Sequence, residues 1–74
     1  MNYTYDRMMG QNIKRIREQA GLTQDQVAAQ LQTLGCDMTR SALAKVEVGQ
    51  RHIYSWEIRA LKKALNVSYD ELFI

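Results

Sequence analysis

Apolar residues recur at spacings of three and four along most of this chain, the period of α-helices that each bury one side. Met9, Ile13, Ile16 and Ala20 form the first such stripe, which predicts a helix from about Arg7 to Ala20 with Gly21 as its stop. The next six residues hold two start signals: Thr23 with Gln26 as a capping box, and Leu22 with Val27 as a hydrophobic staple. A second helix follows, with Val27, Ala28, Leu31 and Leu34 inward and Gly35 ending it. Thr39 suits the N-cap of a third helix over about 40–48, with Met38 stapling onto Leu43 and Gly49 supplying the left-handed residue that ends it. Ser55 is the expected cap of a fourth helix, in which Ile58, Leu61 and Leu65 keep the period and Trp56 closes one side of the core. Asn66 suits a left-handed helix end, and Ser68 with Glu71 makes a second capping box that opens a short fifth helix from Tyr69. The expected fold class is therefore all-α, a compact five-helix domain over residues 7–74. Residues 1–6 lack a helical period and read as an N-terminal arm.

The third helix carries the chemistry. At about 100° per residue, Ala42, Leu43, Val46 and Glu47 fall on one arc, whereas Arg40, Ser41, Ala44, Lys45 and Val48 fall on the opposite one. The first arc suits a core and the second suits a polar, acidic partner. Arg40 and Ser41 stand at the N-terminal end, where a recognition helix reads bases. Lys45 follows one turn on, and Ala44 is small enough to permit close approach. At the start of the second helix, Gln24 sits where free backbone N–H groups favour a phosphate oxygen.

Composition narrows the function. Seventy-four residues, 46% hydrophobic, 24% charged and without proline, describe one small folded domain with little room for a substrate pocket. One histidine, one cysteine and no glycine-rich phosphate loop assemble no catalytic set, so neither an enzyme nor a cofactor or metal site is expected. The net charge is only +2, but it is unevenly spread: Arg40, Lys45 and Arg51 face Glu47 in the middle, whereas Asp70 and Glu71 end the chain with no basic residue beside them. A polyanion for one face and a different use for the other are expected. Cys36 makes no internal disulfide, fits a reducing interior and has no neighbouring base to activate it as a redox switch. No apolar run approaches the ~20 residues that span a bilayer and the first residues are no signal peptide, so a soluble cytoplasmic protein without a membrane partner is expected.

Three segments together resemble a known family: Ile13 to Ala28 with its Gly21-Leu22-Thr23-Gln24 core, Thr39 to Gly49 with a glutamate before the closing glycine, and Ile58 to Phe73 with Ala64-Leu65-Asn66-Val67-Ser68 and Asp70-Glu71-Leu72. In this order they resemble the lambda-repressor-like (XRE) helix-turn-helix family, over about residues 9–73. The resemblance implies a second helix across the DNA backbone and a third in the major groove. Arg40, Ser41 and Lys45 match the family's base-facing positions, with Ala44 beside them. Gln24 matches the glutamine that contacts phosphate and steadies the recognition helix, and Arg17 matches the arginine that pairs with the glutamate at Glu47. One departure stands out. Where many members have a single glycine between the positions of Leu31 and Met38, this chain has six residues, 32–37, expected to lengthen the second helix by about a turn and loosen the connection.

The expected function is a sequence-specific, double-stranded DNA-binding transcriptional regulator, a repressor acting as a homodimer on a palindromic operator. Arg40, Ser41, Ala44 and Lys45 would read bases, while Gln24, Thr39, Arg51 and His52 would hold phosphates. Tyr69, Phe73 and Ile74 would form the dimer surface, because so short a helix cannot bury all its apolar side chains within its own domain. No second domain is expected to bind a small-molecule effector. The alternative is a protein-binding module, such as an antitoxin or anti-repressor, built on the same helices.

Overall fold

A computed structural model describes residues 3–73, with side chains from Tyr5 onward. Five helices follow in order: α1 (Tyr3–Gln19), α2 (Gln24–Thr33), α3 (Arg40–Glu47), α4 (Ser55–Leu65) and α5 (Tyr69–Phe73). The capping residues act at the sites where local chemistry puts them. Thr23 Oγ1 accepts from the Gln26 amide at 3.1 Å while Gln26 Oε1 accepts from the Thr23 amide at 2.8 Å. Thr39 Oγ1 accepts from the Ala42 amide, and Ser68 and Glu71 close the reciprocal pair that opens α5. Asn66 adopts the left-handed conformation at φ 55° and Gly49 does so at φ 76°.

α1 packs on α3 and α5, and α2 packs on α3 and α4. Between them lie Ile13, Val27, Leu31, Met38, Leu43, Val46, Leu61 and Leu72, all fully buried. Each such side chain removed from water contributes about 1.5–3 kcal/mol, so these inward stripes carry the fold. The Asn12 side-chain amide donates to the Leu72 carbonyl at 2.9 Å and ties α5 to the middle of α1.

Several expectations require correction. The arm assigned to residues 1–6 is helical from Tyr3, with Met1 and Asn2 outside the described residues. Asp6 stands in the first turn of α1, where a carboxylate opposes the positive helix end, and its Oδ1 lies 3.2 Å from His52 Nδ1. That long-range anchor extends the helix where apolar period gave no sign of it. Ala20 is exposed, because α1 ends at Gln19 and the inward place after Ile16 is taken by Leu22 from beyond the turn. Leu34 is exposed too: it caps α2, and the space beneath the helix end is filled by Cys36 and Met38 instead. The connection from α2 to α3 is consequently held rather than loose, with the Cys36 amide donating to the Leu31 carbonyl at 2.8 Å.

α4 departs most from its pattern. Its N-cap is Tyr54 rather than Ser55, and the Glu57 carboxylate accepts from the Tyr54 amide at 2.9 Å. This phase turns Glu57, Ala60, Leu61 and Leu65 inward and leaves Trp56 outside with 63% of its surface exposed. Trp56 closes no core. It stacks instead on Tyr54, with ring centroids 4.8 Å apart and planes 5° from parallel.

Candidate nucleic-acid interface

The buried arc of α3 comprises Leu43, Val46 and Glu47; Arg40, Ser41 and Lys45 are exposed on the other side, with Ala44 half-buried between them. Thr39 uses its oxygen to cap the helix, which leaves its hydroxyl hydrogen to donate outward at the same end. The face assigned to base reading thus stands clear of the domain. Arg40 pairs with Asp25, whose Oδ1 is 3.6 Å from Arg40 Nε in an exposed pair.

Glu47 fixes the other end of α3. Its carboxylate accepts from Arg17 Nε at 2.7 Å, from Arg17 Nη2 at 3.0 Å and from Gln24 Nε2 at 3.0 Å. Arg17 also donates through Nη1 to the Leu22 carbonyl at 2.9 Å, so its guanidinium ties α1 to α3 and to the turn before α2. The hydrogen bonds that Arg17 donates to Glu47 outweigh burial and push the Arg17 pKa above its ordinary value. A buried carboxylate without such partners would be strongly disfavoured, whereas this one makes three charge-assisted or amide bonds. Gln24 therefore braces α3 through its side-chain nitrogen, and the amides of Gln24 and Asp25 remain the first two of α2, without intrahelical acceptors.

These groups border an open polar cleft of 580 Å³, lined among others by Lys14, Thr23, Gln24 and Arg40. Lys14 is exposed on the outer side of α1, and no sequence motif marks it. Its place in the cleft beside the start of α2 singles it out.

Two residues assigned to phosphate have other work. Arg51 donates through Nη1 to Glu57 Oε1 at 2.9 Å and through Nη2 to Oε2 at 2.8 Å, and Nη1 also reaches the His52 carbonyl. It stitches the α3–α4 connection to the start of α4. The His52 ring is engaged with Asp6 and meets Tyr54 edge-on at 5.1 Å. Both were chosen for charge near the third helix. A carboxylate six residues on for Arg51, and one 46 positions back for His52, redirect them.

Burial works to raise the Glu57 carboxyl, but hydrogen bonds from Arg51 and the Tyr54 amide, with the charge of Arg51, hold it below the ordinary carboxylate range. Because the folded chain binds this proton less readily than the unfolded chain, the stabilisation is present above about pH 4.3 and is lost as pH falls below it. Melting temperature followed from pH 6 to pH 3 should fall less steeply for Glu57→Gln than for the parent chain; equal slopes would remove this account. Burial likewise pushes the Cys36 thiol up, consistent with an inert core cysteine.

At the far side of the domain, Tyr5, Met8, Met9, Ile58 and Phe73 line an apolar groove of 340 Å³. Leu72 is buried beneath it, while Phe73 and Tyr69 remain exposed. Ile74 lies outside the described residues. No helix among the described residues is long and apolar enough to cross a membrane.

Comparison with known proteins places this architecture. The family described as helix-turn-helix domain matches residues 9–72. A solved structure of the restriction-modification controller protein C.AhdI from Aeromonas hydrophila is similar at a TM-score of 0.84 and 32% identity, covering 96% of each chain. No curated protein sequence matches. With its recognition helix exposed, its brace buried and its match nearly end to end, the chain belongs to the lambda-repressor-like (XRE) helix-turn-helix family of DNA-binding transcription regulators.

Proposed function

We propose that this regulator binds a specific double-stranded sequence as a homodimer and represses transcription by occupying a palindromic operator. The outward face of α3 carries the reading: two cations and two small residues project from a helix whose last residue is locked by three hydrogen bonds, two of them buried. Such a helix enters the major groove with little reorganisation, and Arg40 offers the fork that fits guanine O6 and N7. Ser41, Ala44 and Lys45 complete the reading face. Thr39, Gln24 and the first amides of α2 supply phosphate contacts at the groove edge, with Lys14 added and Arg51 and His52 removed.

A single module of this size binds weakly, so two-fold pairing on DNA is part of the proposal, with half-sites about 10–10.5 base pairs apart or a multiple of that. The pairing surface is α5 with Tyr69 and Phe73, continued by the groove beside Tyr5 and Met8; Ile74, the next residue, belongs to the same proposal. Exposed apolar area of this kind is unfavourable in water and favours a second copy. The controller protein to which the chain is similar supports a regulatory role for a domain of this length.

Selection from random duplex DNA at physiological salt should return a palindrome. Against the selected duplex, Arg40→Ala should lose about 1–3 kcal/mol and relax preference at one base pair per half-site. A variant that binds every duplex as the parent does would overturn the assignment of the reading face.

A further inference from the structure

We propose that Asp25 is a specificity-determining residue that acts by positioning Arg40. The proposal rests on Arg40 being a base reader, and it explains a carboxylate that stands where DNA binding would otherwise exclude one. Asp25 is the second residue of α2, and its side chain is 77% exposed beside the cationic end of α3. There it repels phosphate. The fold has little need of it, since the cap of α2 is completed by Thr23 and Gln26, and a charge in the first turn is a minor addition.

The geometry gives it a use. Asp25 approaches Arg40 from the Nε side, at 3.6 Å, which is within reach of an ion pair but beyond a hydrogen bond. An arginine reads guanine end-on through its two terminal nitrogens, and a carboxylate on the Nε edge leaves that fork open while limiting where the long side chain points. Both partners stand on helices rather than loops. Consecutive residues of α2 also reach opposite ends of the recognition helix: Gln24 bonds Glu47, the last residue of α3, and Asp25 faces Arg40, the first. The first contact orients the helix and the second orients the side chain that reads.

In water the Asp25 pair is weak, because it is exposed and screened. Against a duplex, water is displaced and the pair strengthens as the fork engages its base. A guanidinium that strays toward a phosphate instead forfeits this partner. The carboxylate therefore penalises the misdirected, sequence-independent contact more than the specific one, a discrimination gained by making the wrong arrangement worse.

The experiment compares the parent chain, Asp25→Ala, Arg40→Ala and the double variant on two duplexes: the selected operator, and the same operator with the base pair read by Arg40 exchanged. Fluorescence anisotropy at one fixed salt concentration gives the affinity ratio. The parent should discriminate roughly tenfold to a hundredfold. Asp25→Ala should bind both duplexes more tightly, having lost a like charge, while its discrimination falls about three- to fivefold, the size of one exposed ion pair. In the Arg40→Ala background, removing Asp25 should leave the ratio unchanged. Asp25→Asn, which keeps the shape, should reproduce the loss of discrimination. If Asp25→Ala tightens both duplexes equally and the ratio stands while Arg40→Ala still loses discrimination, Asp25 is only a repulsive charge and the proposal is wrong. If Arg40→Ala itself leaves the ratio intact, the reading face is at fault and the inference falls with it.

Discussion

Glu47→Ala should destabilise the domain by about 3–5 kcal/mol, the usual consequence of removing one member of a buried ion pair. The Arg17 side chain would stay charged, since a guanidinium does not deprotonate, and it would stay buried with the Leu22 carbonyl but without its carboxylate partner. Gln24 would lose its acceptor as well. Against a total stability of about 5–15 kcal/mol, a loss of this size leaves a substantial unfolded population. Urea unfolding measures it directly through the midpoint, and a shift worth less than about 1 kcal/mol would mean that water reaches the pair. Replacing both members, Arg17→Met with Glu47→Leu, should recover most of the stability, because two desolvated charges are then removed together. DNA affinity should not return with it. The double variant separates holding the fold from aiming α3, as only the original pair provides directional bonds across the helix crossing.

Gly10→Ala should have the second largest effect, a net loss of about 2 kcal/mol. In the middle of a helix, alanine ordinarily gains up to about 1 kcal/mol over glycine. Here a Cβ would lie 2.1 Å from the Val46 carbonyl oxygen and 3.1 Å from the carbonyl carbon of Glu47. Backbone cannot rotate aside as a side chain can, so α1 and α3 must separate, and overpacking of this kind typically costs about 1–3 kcal/mol before the whole core adjusts. The same contact repeats at Gly49, where a Cβ would sit 3.0 Å from Arg7 Cα and the residue already needs φ 76°. Urea unfolding tests this prediction too, and an increase in stability would show that the helices stand further apart. Since α3 moves with the separation, operator affinity should fall even at temperatures where the variant is fully folded.

Gly10 also marks how far the chain could be read before its helices were placed. A mid-helix glycine carries a local penalty, but nothing in the linear order says which backbone will approach it. The family resemblance pairs Arg17 with Glu47, and helical period independently turns Glu47 inward. Charge alone points Arg51 and His52 toward phosphate. Each had a carboxylate partner, Glu57 and Asp6, that a count of cations does not see. Trp56 was placed inside for its size, but α4 starts from Tyr54, and that phase puts the indole on the same side as Arg59 and Lys63.

The linear order of residues determined the five helices, most of their ends and the two-sided character of α3, because caps, left-handed stops and apolar period all act between residues no more than about five apart. Tertiary structure alone decided the helical first turns of α1, the close approach at Gly10, the pinning of the α2–α3 connection and the meeting of Asp25 with Arg40. Those depend on how rods cross, and the crossing is set by packing of the whole core at once.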